Sequence, residues 1–170
     1  MFTVLNPYIA YIIFAVILVE LVVAVYLDLV TAKFPNKFFL SYLSINLVLF
    51  TVLHGVSGLG VSLMTFGVAF LLLAPIYFTK ILGGGDIKLI LAISPALLMD
   101  EFISFLFMSF LWAGVFGLVR SLLGGNLRSL LVNTLFAARK VTVAEDGMPF
   151  TVGILLGWCS YKTILGLGFV

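Results

Sequence analysis

Two carboxylates define the chemistry open to this chain. Asp28 closes the first long apolar run, and Asp86 follows Gly83-Gly84-Gly85 at the start of another. An ionisable side chain at membrane depth rarely faces lipid and usually lines a cavity or a polar path. Two carboxylates brought close together in a low-dielectric site share one proton and titrate as a coupled pair. The ionised member can then deprotonate a water while the protonated member polarises a peptide carbonyl. Gly83 and Gly85 carry no side chain and would let backbone approach a substrate strand closely. The plainer readings stay open at this point: interfacial carboxylates that cap a helix or meet water, and glycines that form a loop or a close helix contact. Neither a Walker nor a dinucleotide-binding spacing is present. The aspartates are 58 residues apart in sequence, so only helix packing can join them.

The elements that would do so are membrane helices. Of the 170 residues, 64% are hydrophobic and 9% charged, with a mean hydropathy of +1.32. Soluble domains run at about 45–50% apolar and about 25% charged, so the chain is read as a membrane protein. Spans of roughly 20 residues give an all-α bundle of about six transmembrane helices in one domain, 1–170. The spans are expected at Tyr8 to Leu27, Phe38 to Leu53, Val61 to Phe78, Ile87 to Met99, Phe102 to Val119, and Phe150 to the C-terminus. Pro35 marks a turn after the first span, Pro75 falls late in the third, and Pro95 breaks a short fourth. Between the last two, Leu127, Leu130, Leu131, Leu135 and Ala138 recur at helical spacing opposite Ser129, Asn133 and Lys140, which predicts an amphipathic helix on the membrane surface. The first 20 residues lack a basic segment ahead of their apolar run, so that run is expected to be retained. A single cysteine, Cys159, allows neither a disulfide framework nor a paired-cysteine zinc site.

Charge sets the orientation. Eight of the nine Lys and Arg lie in connections after odd-numbered spans: Lys33, Lys37, Lys80, Lys88, Arg120, Arg128, Arg139 and Lys140. Lys88 stands at the very start of the fourth span, and the ninth, Lys162, falls within the last. The positive-inside rule makes those connections cytoplasmic and puts both termini outside. Asp28 and Asp86 then emerge at the same, cytoplasmic, face.

Asp28 followed by Phe34-Pro35-Asn36, with Gly83-x-Gly85-Asp86-x-Lys88, resembles the prepilin peptidases, aspartic membrane proteases of the GxGD type. Met148-Pro149-Phe150-Thr151 is similar to a Pro-[Phe/Tyr]-Gly stretch in that family, Thr151 standing where Gly is frequent. The resemblance implies that Asp28 and Asp86 are the catalytic dyad, with Gly83, Gly85, Lys88 and Asn36 binding substrate or shaping the site. It implies cleavage of a basic leader from a type IV prepilin-like precursor at the cytoplasmic face, just before the precursor's hydrophobic helix. No paired-cysteine insertion is present, so the chain looks like the short, peptidase-only form of tight-adherence (Flp) pilus systems, without N-methylation. The resemblance implies no cofactor and no metal, and partners limited to the precursor and the bilayer, with no nucleic acid. Archaeal preflagellin peptidases share the dyad.

Other polar residues carry smaller expectations. Lys88 lies about 200° around a helix from Asp86 and is expected to be an interfacial anchor. Asn36 is expected to shape the Pro-Asn turn. Glu20, about 12 Å above Asp28, is expected to pair with Lys162 and join the first and last spans. His54 is expected in an outer loop, and Cys159 in packing. A small ion or proton transporter, with Glu20, Asp28, Asp86 and Lys162 along its path, is the rival of another class, and a structural assembly protein is a third.

Overall fold

The computed structural model describes residues 7–31, 34–79, 82–123 and 150–166, all of the regular structure among them helical. The helices are α1 (Pro7–Thr31), α2 (Asn36–Thr79), α3 (Gly84–Ile93), α4 (Met99–Leu123) and α5 (Phe150–Gly166), with a 3-10 turn at Ser94–Ala96 after α3. The amphipathic helix expected over residues 127–140 lies outside the described residues, as does most of the connection carrying its basic charges. Among the described residues, three helices are long and apolar enough to cross a membrane: Tyr8–Val30, Asn36–Thr79 and Met99–Val119.

α1 shows how packing selects a face from a helix that is apolar all round. Ile13, Ile17, Glu20, Leu21 and Ala24, spaced by three and four residues, are buried, while Tyr11, Val19, Val22 and Leu29 face outward. An outward apolar surface of this kind meets lipid tails. Lipid removes the usual hydrophobic drive between helices, so close packing and interhelical hydrogen bonds hold the bundle.

α2 is a hairpin of two helical halves that meet at a non-helical residue, Gly55. Gly55 has φ 71°, a backbone conformation that glycine tolerates and other residues rarely adopt. Asn46, before it, donates to the Ala92 carbonyl at 3.0 Å, and Ser62, after it, donates to the Pro95 carbonyl. On a straight helix Asn46 and Ser62 would be about 24 Å apart, whereas their two acceptors lie about 5 Å apart along the chain. The halves therefore fold back on one another at Gly55. Gly58 completes the bend, since a Cβ there would meet Phe50 O at 3.0 Å and His54 Cβ at 2.6 Å. His54 is accordingly helical and stacks on Phe50 with ring centroids 4.1 Å apart, instead of sitting in a loop.

α3 enters the hairpin from the open end. It has ten residues, about 15 Å of helix against a hydrocarbon core of about 30 Å. In place of one fourth span over 87–99, the chain forms this half-length helix and then a 3-10 turn containing Pro95. Every residue from Leu89 to Leu97 is buried.

α4 and α5 pack through small residues. A Cβ on Gly157 would lie 2.6 Å from the Ser109 nitrogen, and one on Gly153 would lie 3.3 Å from the Ala113 nitrogen. Trp158 of α5 is fully buried between Phe14 of α1 (5.8 Å) and Phe105 of α4 (5.7 Å), linking the three helices. Lys162 does not reach Glu20. Its Nζ is 2.9 Å from Glu101 Oε1 on α4, above the Trp158 and Tyr161 rings, while Glu20 Oε2 accepts from Asn46 Nδ2 at 2.7 Å. The depths of Glu20 and Lys162 allowed a pair, but the two side chains leave α1 and α5 toward different neighbours.

Candidate active site

Four helix ends converge at one end of the bundle. Asp28 lies in the last turn of α1, Asn36 opens α2, Asp86 lies in the first turn of α3 and Thr151 is the second residue of α5. Glu101 and Lys162 meet at the far side; Lys162 is about 16 Å along α5 from Thr151.

The glycine stretch is the start of α3. Gly83 is the residue before the helix, extended at φ −62° and ψ 141°, and Asp86 is the third residue inside it. From there the Asp86 carboxylate turns back and accepts from the Gly83 N–H, the acidic half of a capping box. Gly83 makes this possible, because a Cβ there would lie 2.9 Å from Asp86 Oδ2. Gly85 serves a different neighbour: its Cβ would meet Phe34 Cβ at 3.2 Å. Both glycines thus admit parts of this chain itself.

The Phe34-Pro35-Asn36 segment is fitted to the same place. Pro35 O accepts from the N–H groups of Phe38 (3.1 Å) and Phe39 (3.3 Å), starting α2. Phe34 is buried against Tyr42 and Phe38, with ring centroids 5.8 and 6.5 Å away. Lys88 Nζ donates to Asn36 Oδ1 at 2.7 Å, so these two residues tie α3 to the start of α2. Sequence spacing gave Lys88 a separate, outward place; the bond to Asn36 is the addition the structure makes.

Asp86 sits outside the three spans that cross by length and composition. Its carboxyl is pushed up to about 7, first by burial and then by the Asp28 charge, with the Gly83 N–H pulling the other way. The packing of α1 and α3 thus brings the Asp28 charge within reach of Asp86. Asp28 is half-buried and has a partner that the sequence signalled weakly: Thr151 Oγ1 donates to Asp28 Oδ2 at 2.8 Å. Thr151 is buried, and a polar residue just after a proline at the head of an apolar span was the available signal. Asn46 was also missed; a lone amide within the span Phe38 to Leu53 was its mark. Among the described residues no cluster of three or more His, Cys, Asp or Glu is placed to hold a metal ion.

This arrangement places two carboxyl groups on neighbouring helix ends, one of them raised toward neutral pH, with Asn36 exposed at the same end. Such a pair can activate water against a carbonyl. The model of the type IV leader peptidase family matches residues 11–118, a stretch that contains both aspartates and ends before α5. No curated protein and no solved structure matches the chain.

Proposed function

Because the chain belongs to the type IV leader peptidase family, we propose that it is an intramembrane aspartic endopeptidase that removes the leader from type IV, Flp-like prepilins at the cytoplasmic face. The observation that carries this reading is that the Asp28 charge reaches Asp86 across 58 residues of sequence. Family membership makes the chain a membrane-embedded peptidase with a prepilin-type substrate; the dyad, the face and the Flp class are the finer content of the proposal. In it, the pair holds one proton and activates a water against the peptide bond that precedes the precursor's hydrophobic helix. Asn36 and Lys88 shape the mouth, and Gly83 and Gly85 shape the turn that presents Asp86.

The orientation follows from charge. The end of the bundle that carries the aspartates also carries Lys37 and Lys88, and the basic residues of the 120–140 connection leave from the same end. We infer six crossings in a single domain, the fourth running from Ile87 through the rest of α3, the 3-10 turn and Leu97-Leu98 to Met99, with Asp86 just outside it. An ion path has less support, since Glu20 is bonded to Asn46 and Lys162 to Glu101, which interrupts the row of charges it needs.

Cleavage of a purified prepilin-like precursor in liposomes tests the reading. Wild-type protein should shorten the precursor, and Asp28→Asn and Asp86→Asn should each abolish the product while the protein stays folded, because an amide of nearly the same shape cannot exchange the proton. Cleavage by either variant would remove the dyad.

A further inference from the structure

We propose that Thr151 is a positioning residue: its hydroxyl holds Asp28 as the ionised, water-activating member of the pair and leaves the proton on Asp86. This rests on the peptidase reading above and adds to it a division of roles and a residue outside the stretch that matches the family.

The geometry makes the two acids unequal. Asp28 stands in the last turn of α1, where the carbonyl ends of a helix disfavour negative charge. Something must offset this if Asp28 is to be the base. Thr151 Oγ1 lies 2.8 Å from Asp28 Oδ2, and Thr151 is only 3% exposed, so water does not compete easily for that hydroxyl. A threonine inside a helix commonly turns its hydroxyl back to a carbonyl three or four residues earlier. Thr151 is the second residue of α5, and its proton goes to Asp28 instead. The same first turn brings the positive end of α5 toward Asp28. Asp86 is raised by burial and has the Gly83 N–H as its donor. Two close carboxylates do not both ionise readily, and the one whose charged form is better bonded keeps the charge.

The charged groups at this end include Asp86 and Lys88 of α3, Lys37 of α2 and, in the last turns of α4, Arg120. Lys88 is bonded to Asn36 and Lys37 is exposed. Thr151 is the side chain seen bonded to Asp28, and Asp86 the carboxyl that the Asp28 charge reaches. In the reaction, Asp28 takes a proton from water as the water oxygen bonds to the carbonyl carbon, and Asp86 gives its proton to the carbonyl oxygen. Asp28 then passes its proton to the leaving nitrogen as the C–N bond breaks, and the hydroxyl of the tetrahedral intermediate returns a proton to Asp86.

The test compares Thr151→Val and Thr151→Ser in the full chain, using a prepilin-like precursor for cleavage and carboxyl-carbon NMR of aspartate-labelled protein for titration. Thr151→Val keeps the shape and loses the donor. It should lower kcat by roughly tenfold with little change in KM, and move the acidic limb of the pH–rate profile upward. Thr151→Ser should restore both. If Thr151→Val does not fold, Thr151→Cys, a much weaker donor of similar size, takes its place against Thr151→Ser. A folded Val or Cys variant with the wild-type profile and titration overturns the role of Thr151 while Asp28→Asn stays inactive. An active Asp28→Asn overturns the dyad itself, and the NMR titration still reports whether Thr151 acts on Asp28.

Discussion

Asn46 holds the Ala92 carbonyl at 3.0 Å, and so the polar side chain of one span fixes the deep end of the short helix whose other end presents Asp86. The same Asn46 nitrogen donates to Glu20 Oε2 at 2.7 Å, which ties α1, α2 and α3 at one buried point. The candidate site is thus braced from about 10 Å inside the bundle, since Ala92 lies six residues beyond Asp86.

Removing that brace has a defined effect. Asn46→Leu deletes both bonds and leaves Glu20 buried without its donor, so thermal unfolding in detergent should show a loss of about 1–2 kcal/mol. Cleavage should fall as α3 loosens. Glu20→Gln still offers Asn46 an oxygen and should stay within about 0.5 kcal/mol of the wild type.

Asp86 makes stability and cleavage depend on pH in the same direction. Its carboxyl is held at about 7, above the ordinary 3.8. A raised acid stabilises the folded state fully below its unfolded value, and that stability is lost as pH rises through the folded value. Stability should therefore decline between about pH 4 and pH 7, and Asp86→Asn should flatten this part of the profile. Cleavage should fall on the alkaline side with a midpoint near 7; a rate that climbs through pH 7 to 8 would contradict the protonated role.

The two glycines should respond differently to alanine. At position 83 the new methyl falls 2.9 Å from Asp86 Oδ2 and displaces the carboxylate from the Gly83 N–H. We expect kcat/KM to drop by about tenfold to a hundredfold, a shift of about 1.4–2.7 kcal/mol in the barrier, with little change in unfolding temperature. At position 85 the methyl meets Phe34 Cβ at 3.2 Å, which Phe34 can relieve by a small shift. A loss below about threefold is expected there.

Gly157 tests the α4–α5 seam. Its added Cβ would stand 2.6 Å from the Ser109 backbone nitrogen, an atom that cannot turn away. Gly157→Ala should cost about 1–3 kcal/mol of stability by forcing the helices apart, and Gly153→Ala, with 3.3 Å to Ala113, should cost less. Thermal unfolding of the two variants side by side gives the comparison.

Much of this site is legible in the residues themselves. Apolar runs ending at Asp28 and resuming at Phe38 fix where membrane helices stop, and the glycines before Asp86 mark a helix start. Pro95 announces the end of α3. What the residues do not reveal is rotation about each helix axis. α1 and α5 are apolar on every side, so no stripe says that Glu20 faces Asn46 or that Lys162 faces Glu101. The Thr151 contact depends on that same rotation across 123 residues of chain. The bend at Gly55 was visible only as a glycine-rich end to a span, because the φ of 71° that merges two spans into a hairpin is a property of the folded backbone.

The hairpin also orders events during synthesis. Asn46 and Ser62 leave the ribosome 46 and 33 residues ahead of the carbonyls they will bond, Ala92 and Pro95. α2 therefore forms as a pair of helices with two polar side chains on their inner faces and no partner yet made. That inner face is a slot waiting for α3, and the helix that brings Thr151 to Asp28 is made later still, so this bond is the last of the three that synthesis makes available.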